Sequence, residues 1–454
     1  MTMWRPDISA SSGPRYAAIA DAIESDVKGG RLATGTKMPT HRELADTLGV
    51  TVGTVTRGYA EAARRGLLRG ETGRGTFVGG EAIQQLICHH EKLRDGVVDM
   101  KVTLPFESFN PDLASTLTDI AADPGCQDLL RYIPSSGRLV DREAGAQWLR
   151  RYRLEPDPET LCVTVGGQNS LAVVLSAVFR PGDCIAAEGI TYPLIKTLSR
   201  RFRMRLIPVE QDENGMIPES LDEVCRAHPV RGVYLMPTCQ NPTSARLPEY
   251  RRQAIAETAR RRDLYIIEDD AYGLTSRDFG VPFAQMAPER TFFIASLSKS
   301  VCGGLRVAYL ASPPAYLSAV KGAVSDMVWM TPPLMAEVAR RWILDGTADR
   351  VRAAKQDEAA KRTALARQAL AGFDAAMQET SPYAWLRLPD PWTAGDFARI
   401  AEDNDVLLST DDIFTVGRRP LPHAVRLALS GPDSPDELAR GLDVLRTILD
   451  SEGA

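Results

Sequence analysis

At 454 residues, with 44% hydrophobic and 25% charged side chains, the chain is too long for one ordinary domain and rich enough in apolar residues for sizeable cores. Its longest nearly apolar run, Leu171–Phe179, has nine residues, under half of the about 20 that a membrane-spanning helix needs. Asp7 and polar neighbours stand where a signal peptide carries its apolar core, so a cytoplasmic protein is expected.

The net charge of −5 is unevenly spread. Residues 1–78 carry eleven Lys and Arg against eight Asp and Glu, so a head of +3 precedes a body of −8. That asymmetry is expected when only the head meets phosphate. The cysteines, Cys88, Cys126, Cys162, Cys184, Cys225, Cys239 and Cys302, are odd in number and lack a CxxC pair. They read as reduced thiols rather than a disulfide framework. His89 and His90 adjoin one cysteine only, too few ligands for zinc, and no metal is expected.

In chain order, Ile19, Ile23 and Val27 recur every four residues and predict a helix from Tyr16 to about Val27, stopped by Gly29 and Gly30. Ala33–Pro39 reads as a turn-rich loop. Thr40 and Glu43 form a capping box for a second helix that buries Leu44, Ala45 and Leu48 and ends at Gly49. A third helix opens at Thr51, with Val52, Val55, Tyr59 and Ala62 inward and Gly66 as its stop. Thr51, Gly53, Thr54, Thr56 and Arg57 then face outward, small enough to admit a major groove and polar enough to bond phosphates or base edges. Leu67–Val78 reads as a hairpin wing with Arg74 near its glycine-rich tip.

Met38-Pro-Thr-His-Arg-Glu-Leu-Ala45, Val52-Gly-Thr-Val-Thr-Arg-Gly-Tyr59 and Arg74-Gly-Thr-Phe-Val78 resemble the GntR-type winged-helix family. The resemblance implies Arg42, Thr51, Thr54, Arg57 and Gly75 as DNA-facing residues, beside Arg74 of the wing.

Gly79 to about Met100 carries polar and charged residues but no glycine–proline hinge beyond Gly79-Gly80, which leaves room for partial helix, and is read as a tether rather than a disordered tail. The domains expected are residues 1–79, a linker 80–100, and a body 101–454. In the body, short apolar runs such as Leu161–Val165, Cys184–Ala187, Gly232–Met236, Leu264–Ile267 and Thr291–Ala295 alternate with helical stretches. Such runs suit strands covered on both faces of a largely parallel sheet in an α/β fold, whose functional groups collect in loops at the strand ends.

Those loops carry Thr164-Val-Gly-Gly-Gln-Asn169, Pro237-Thr-Cys-Gln-Asn-Pro-Thr243, Glu268-Asp-Asp-Ala-Tyr272 and Ala295-Ser-Leu-Ser-Lys-Ser-Val-Cys-Gly-Gly-Leu-Arg306. A lysine flanked by serines, with an arginine seven residues on, can hold a phosphorylated aldehyde: the lysine forms an imine, while hydroxyls, arginine and a helix N-terminus take the phosphate. Any one of these residues has an ordinary alternative, since a loop lysine is usually a solvated charge and Asp269 beside Asp270 a helix cap. Their joint order decides the reading.

The blocks look like class I aminotransferases of fold type I, with a large and a small subdomain, over roughly residues 100–450. The resemblance implies pyridoxal 5'-phosphate on Lys299 as Schiff base. Asp269 would pair with the pyridine nitrogen; Tyr272 and Asn241 would bond the phenolic oxygen, and Tyr192 would stack on the ring. Gly167, Gln168, Ser296, Ser298 and Arg306 would hold the phosphate, with Tyr132 reaching the phosphate of a partner subunit. Arg426, in Val425-Arg-Leu-Ala-Leu429, would clamp a carboxylate. Ser244 stands where the family commonly has glycine.

A GntR-like head on this body resembles the MocR family of transcription regulators. That implies binding of double-stranded promoter DNA and a head-to-tail, domain-swapped homodimer. It also implies an amino acid or amine effector sensed as an external aldimine at Lys299, with the aminotransferase-like part a sensor rather than an enzyme. A working aminotransferase with a DNA-binding head is the alternative, and a sensor of pyridoxal phosphate itself shares the same fold.

Overall fold

The computed structural model describes residues 4–6, 13–29, 31–32, 36–64, 67–71, 75–78, 96–417 and 419–451, in two compact units, Met1–Leu93 and Arg94–Ala454. Among the described residues no helix is long and apolar enough to cross a membrane.

Among its described residues the first unit has three helices, α1 (Arg15–Lys28), α2 (His41–Leu48) and α3 (Val52–Arg64), and a hairpin of β1 (Leu68–Glu71) and β2 (Gly75–Val78). Thr40 and Glu43 close the capping box at 2.7 and 3.3 Å, and Gly49 ends α2 at φ 62. Ile19, Ile23, Leu44, Val55, Tyr59 and Ala62 form one core. A Cβ on Gly58 would lie 3.0 Å from that of Ile19, so glycine lets α1 and α3 cross closely.

Two expectations change here. Val52, expected inward, is 44% exposed: periodicity assigns a residue to a helix face but not to the length over which a partner covers that face. Thr36–Met38, read as loop, runs along the wing instead, with Lys37 in an isolated bridge to Phe77 and Met38 N–H donating to the Thr76 carbonyl at 2.7 Å. Three residues are too few to show a period. Gly30, Gly66 and Arg74 lie outside the described residues.

The second unit is built on a seven-stranded sheet. Its strands are β4 (Leu161–Thr164), β5 (Cys184–Glu188), β6 (Arg205–Val209), β7 (Val230–Leu235), β8 (Tyr265–Asp269), β9 (Thr291–Ser296) and β10 (Ala308–Ala311), ordered β4-β10-β9-β8-β7-β5-β6. All pairings are parallel except the two made by β10. Buried clusters cover both faces, which is why strands such as β4, β5 and β9 are apolar throughout rather than alternating.

A long helix, α5 (Thr347–Ala369), leads into a smaller sheet of β11 (Ala375–Ala376), β12 (Tyr383–Arg387), β14 (Ser409–Thr410) and β15 (Ala424–Ala428), ordered β11-β12-β15-β14. Residues 98–100, read as the end of the tether, belong here instead. β3 (Val98–Asp99) runs parallel to β13 (Val406–Leu407), and Val98 and Met100 sit in the small-subdomain core. A two-residue strand paired some 300 positions away leaves no local pattern.

Candidate functional site

Six strands of the large sheet point the same way, so the loops leaving β4, β5, β7, β8 and β9 emerge along one edge. There they bring together Gly167, Tyr192, Asn241, Asp269 and Ser296, as the switch from strand to helix does in open α/β sheets. The reversed strand β10 matters equally. Ala308 pairs with Ser296, so Arg306, just before β10, returns to the edge that Ser296, Ser298 and Lys299 occupy.

At the β4 end, Gly166 has φ 79 and ψ 167 and precedes a twelve-residue helix, α4 (Gly167–Val178). This conformation is nearly exclusive to glycine. A Cβ there would come within 2.6 Å of the Arg306 guanidinium, so the missing side chain makes room for that group. Arg306 donates to Ser298 Oγ at 3.2 Å, and Ser296 Oγ caps the short helix of Lys299 by accepting from Ser298 N–H at 3.2 Å. The free α4 amides, two hydroxyls and a guanidinium thus form an anion cradle. Gly166→Ala is expected to weaken cofactor retention at least tenfold while leaving the circular dichroism spectrum unchanged, because its Cβ displaces Arg306; titration of the cofactor-free protein by absorbance checks this.

Lys299 Nζ donates to the Thr103 carbonyl at 2.6 Å and lies 5.8 Å from the Tyr272 ring centre. Burial, then the positive charges of Arg426 and Arg306, lower its pKa to about 8. Protonated lysine therefore opposes folding of the cofactor-free chain at pH below about 8, and the penalty fades as pH rises towards the ordinary 10.5. Since only the neutral amine attacks an aldehyde, the second-order rate of pyridoxal phosphate uptake should rise about tenfold per pH unit below 8 and level above it. Stopped-flow absorbance measures this, and a rate flat from pH 6 to 8 would contradict it.

Asp269, the last residue of β8, is buried and accepts from Tyr234 Oη at 2.8 Å. Burial raises its pKa to about 6, opposed by that bond and by the Ala271 N–H. A protonated ring nitrogen beside it would restore the anion. Asp270 is equally buried, but its charge partner is Arg252 and its hydrogen-bond partner Thr238. Tyr192 feels Asp269, Arg426 and Arg306 together, so Asp269 and not Asp270 faces the cleft.

Asn241, 1% exposed, accepts from Arg426 Nη1 at 2.9 Å. Arg426, on β15, is 4% exposed, its Nε has no partner, and Phe414 stacks 5.0 Å from its guanidinium. Gln168 is exposed and donates to Tyr192 Oη at 3.5 Å. Tyr132 is 83% exposed, edge-on to Trp329 at 6.0 Å. Among the described residues, neither Lys299, Arg306 nor Arg426 forms an ion pair. Three cations facing Asp269 and, near Arg426, Asp99 match a ligand that brings its own negative charges.

Sequence reasoning missed Gly166, Tyr234 and Thr103. Tyr234 meets Asp269 only because β7 and β8 pair with Tyr234 opposite Ile267. Ser244, in place of a glycine, keeps a left-handed φ of 59. Its Oγ lies 3.0 Å from Ser381 Oγ and donates to the Tyr383 carbonyl at 3.1 Å. The loop thereby gains a bond to the small sheet that glycine could not make.

On the first unit, Arg42, Thr51 and Arg57 are exposed and Thr54 is half-buried. Thr51 and Thr54 hydroxyls lie 2.9 Å apart. The Arg57 guanidinium stacks 4.3 Å over Tyr16. Gly75 opens β2 at φ 119, beside the Lys37 stem.

This geometry defines the fold-type I, pyridoxal-phosphate-dependent class, joined to a winged helix. The aminotransferase class I and II family matches residues 112–445, and the gntR family of bacterial regulatory proteins matches residues 15–78. The chain is 30% identical to the HTH-type transcriptional regulator YdeF of Bacillus subtilis, over 98% of this chain and 97% of that one. It is 27% identical to the HTH-type pyridoxine biosynthesis transcriptional regulator PdxR of Corynebacterium glutamicum, over 65% of each. Kynurenine aminotransferase of Pyrococcus horikoshii superimposes with a TM-score of 0.75 at 22% identity, covering 82% of this chain and 95% of that one. The chain therefore belongs to the aminotransferase class I and II family and, through the gntR-type head joined to it, to the MocR regulators.

Proposed function

We propose that this protein binds promoter DNA through its winged head and senses an amino acid, or an amine, at the Lys299 cleft. Pyridoxal phosphate, held by Lys299 and the Gly167–Arg306 cradle with Asp269 at its ring nitrogen, supplies an aldehyde carbon that captures primary amines. Tyr192 would stack on its ring, and Asn241 and Tyr272 would orient its phenolic oxygen. The observation that carries the reading is Arg426, a buried guanidinium bonded to Asn241 and free of ion pairs among the described residues. A planar, always-charged fork is suited to a carboxylate, so the preferred effector is an amino acid.

For the head, Arg42, Arg57 and Arg74 would contact phosphates or bases, with Thr51, Thr54 and Gly75 at close approach. Exposed Val52 adds an apolar group suited to a thymine methyl. The exposed apolar patch of Leu130, Tyr132 and Trp329 supports a homodimer in which Tyr132 reaches the partner's phosphate, and head-to-tail pairing is its proposed form. Such a regulator works in the cytoplasm, where the DNA is.

Absorbance of the cofactor-loaded protein during titration with amino acids and amines tests the reading. A persistent spectral shift with one ligand, accompanied by altered affinity for promoter DNA, supports the sensor. The groups needed for transamination are all here, so the rival is an enzyme. Bleaching of the band with catalytic build-up of a 2-oxo acid would establish that instead.

A further inference from the structure

Three residues assigned to ligand binding are all engaged by one short stretch of this chain. Arg426 donates through Nη2 to the Lys101 carbonyl, and Lys299 Nζ donates to the Thr103 carbonyl at 2.6 Å. Tyr272 Oη lies 2.9 Å from Thr103 Oγ1, both buried. The stretch is shaped and anchored at both ends. Asp99 Oδ1 accepts from Lys101 N–H at 2.7 Å. Val98 and Met100 amides bond the Asp405 and Leu407 carbonyls, and Ala428 N–H bonds the Met100 carbonyl, each at 2.8 Å. At the far end the Phe106 ring lies 4.8 Å from the Arg362 guanidinium of α5. This strap, Asp99–Phe106, is also the first part of the second unit after the residues joining it to the winged head.

We propose that the strap is an internal competitor for the effector, and that a carboxylate in the cleft releases it from Arg426. The proposal rests on the cofactor and effector reading above. A carbonyl is a partial negative charge, and a carboxylate on Arg426 offers two oxygens with full charge, so it displaces the Lys101 carbonyl. Losing that anchor frees the middle of the strap while β3 keeps its start. The two arrangements differ in whether the stretch after β3 lies on Arg426, Lys299 and Tyr272, which is the differential contact that a ligand-driven shift between states requires. Sequence distance hides the device, because Lys101 and Arg426 are 325 positions apart.

The test uses full-length protein loaded with pyridoxal phosphate and two probes, aminooxyacetate and O-methylhydroxylamine. With either, a C=N bond forms between the cofactor's aldehyde carbon and the probe nitrogen as the bond to Lys299 breaks. The two probe protons end on the lysine amine, with no change of oxidation state. Only aminooxyacetate brings a carboxylate.

Hydrogen–deuterium exchange of the peptide spanning residues 96–106 should accelerate at least tenfold with aminooxyacetate and not with O-methylhydroxylamine. In Arg426→Ala the strap should exchange fast without any probe, and aminooxyacetate should add nothing. Thr103→Val, which removes the Tyr272 contact, should speed exchange several-fold. Equal acceleration by both probes overturns the competition at Arg426. Loss of the band with unchanged exchange overturns the strap altogether. A protein with no band to lose overturns the cofactor reading instead, and the two failures are told apart by absorbance alone.

Discussion

Lys299→Ala, purified in excess pyridoxal phosphate and desalted, is expected to show no visible absorption band and no spectral response to any amine. The wild-type chain should retain the cofactor stoichiometrically. Two other lysines, the half-buried Lys196 and the buried Lys355, have pKa values lowered to about 8 by desolvation, so a low pKa by itself does not select the imine-forming residue. Geometry does. Lys196 Nζ is held by the Ile413 carbonyl at 2.7 Å; Lys355 Nζ, which lines the same cavity as Lys299 and Tyr272, is held by the Val301 carbonyl at 2.6 Å. Lys299 lies seven residues before Arg306, between the anion cradle and Arg426. A band that survives Lys299→Ala and disappears in Lys355→Ala would move the imine and sink the assignment. Non-covalent contacts to the phosphate remain in Lys299→Ala, so cofactor should still bind, with affinity reduced at least 100-fold.

Arg426→Ala should separate two kinds of ligand. For an amino acid effector the affinity should fall about 100-fold or more, corresponding to ~3 kcal/mol, within the range for truncating one partner of a buried charged hydrogen bond. For the amine left when that amino acid loses its carboxylate, affinity should change by less than threefold. Arg426→Lys should recover little, since an ammonium cannot bridge both carboxylate oxygens while also reaching Asn241. The spectral titration reports both ligands on one protein sample. Equal losses for the two would mean that Arg426 shapes the cleft rather than recognising the effector. Removal of a buried cation also relieves its desolvation cost, so no large loss of thermal stability is expected, and a fall in Tm beyond a few degrees would point the same way.

Much of the chemistry was legible because it is written locally. A capping box is four residues long, a helix stripe repeats every turn, and a strand covered on both faces is a short apolar run. Those signals placed the first three helices and the five expected strands, with ends displaced by a few residues. The motif blocks around Asn241, Asp269 and Lys299 were readable for a related reason. Each is a strand end followed by a tight turn, and the turn dictates residue type at fixed offsets. What failed was equally physical. Val52 lay on the right face of its helix beyond the reach of its partner, and the Lys37 bridge and the Val98–Asp99 strand are too short to have a period.

The sequence by itself determined which residues are chemically equipped: a lysine for an imine, an acid for a ring nitrogen, arginines for anions, and a small-residue helix for a DNA groove. Only the tertiary structure decided how they are occupied and oriented. It turned Asp269 rather than Asp270 into the cleft and set Tyr234 against it through strand register. The reversed β10 carried Arg306 back to the phosphate end, and Ser244 became bonded to the small sheet. It also laid the carbonyls of Lys101 and Thr103 on Arg426 and Lys299. Each of these is a contact between residues distant in the chain, fixed by register and packing that no local window contains.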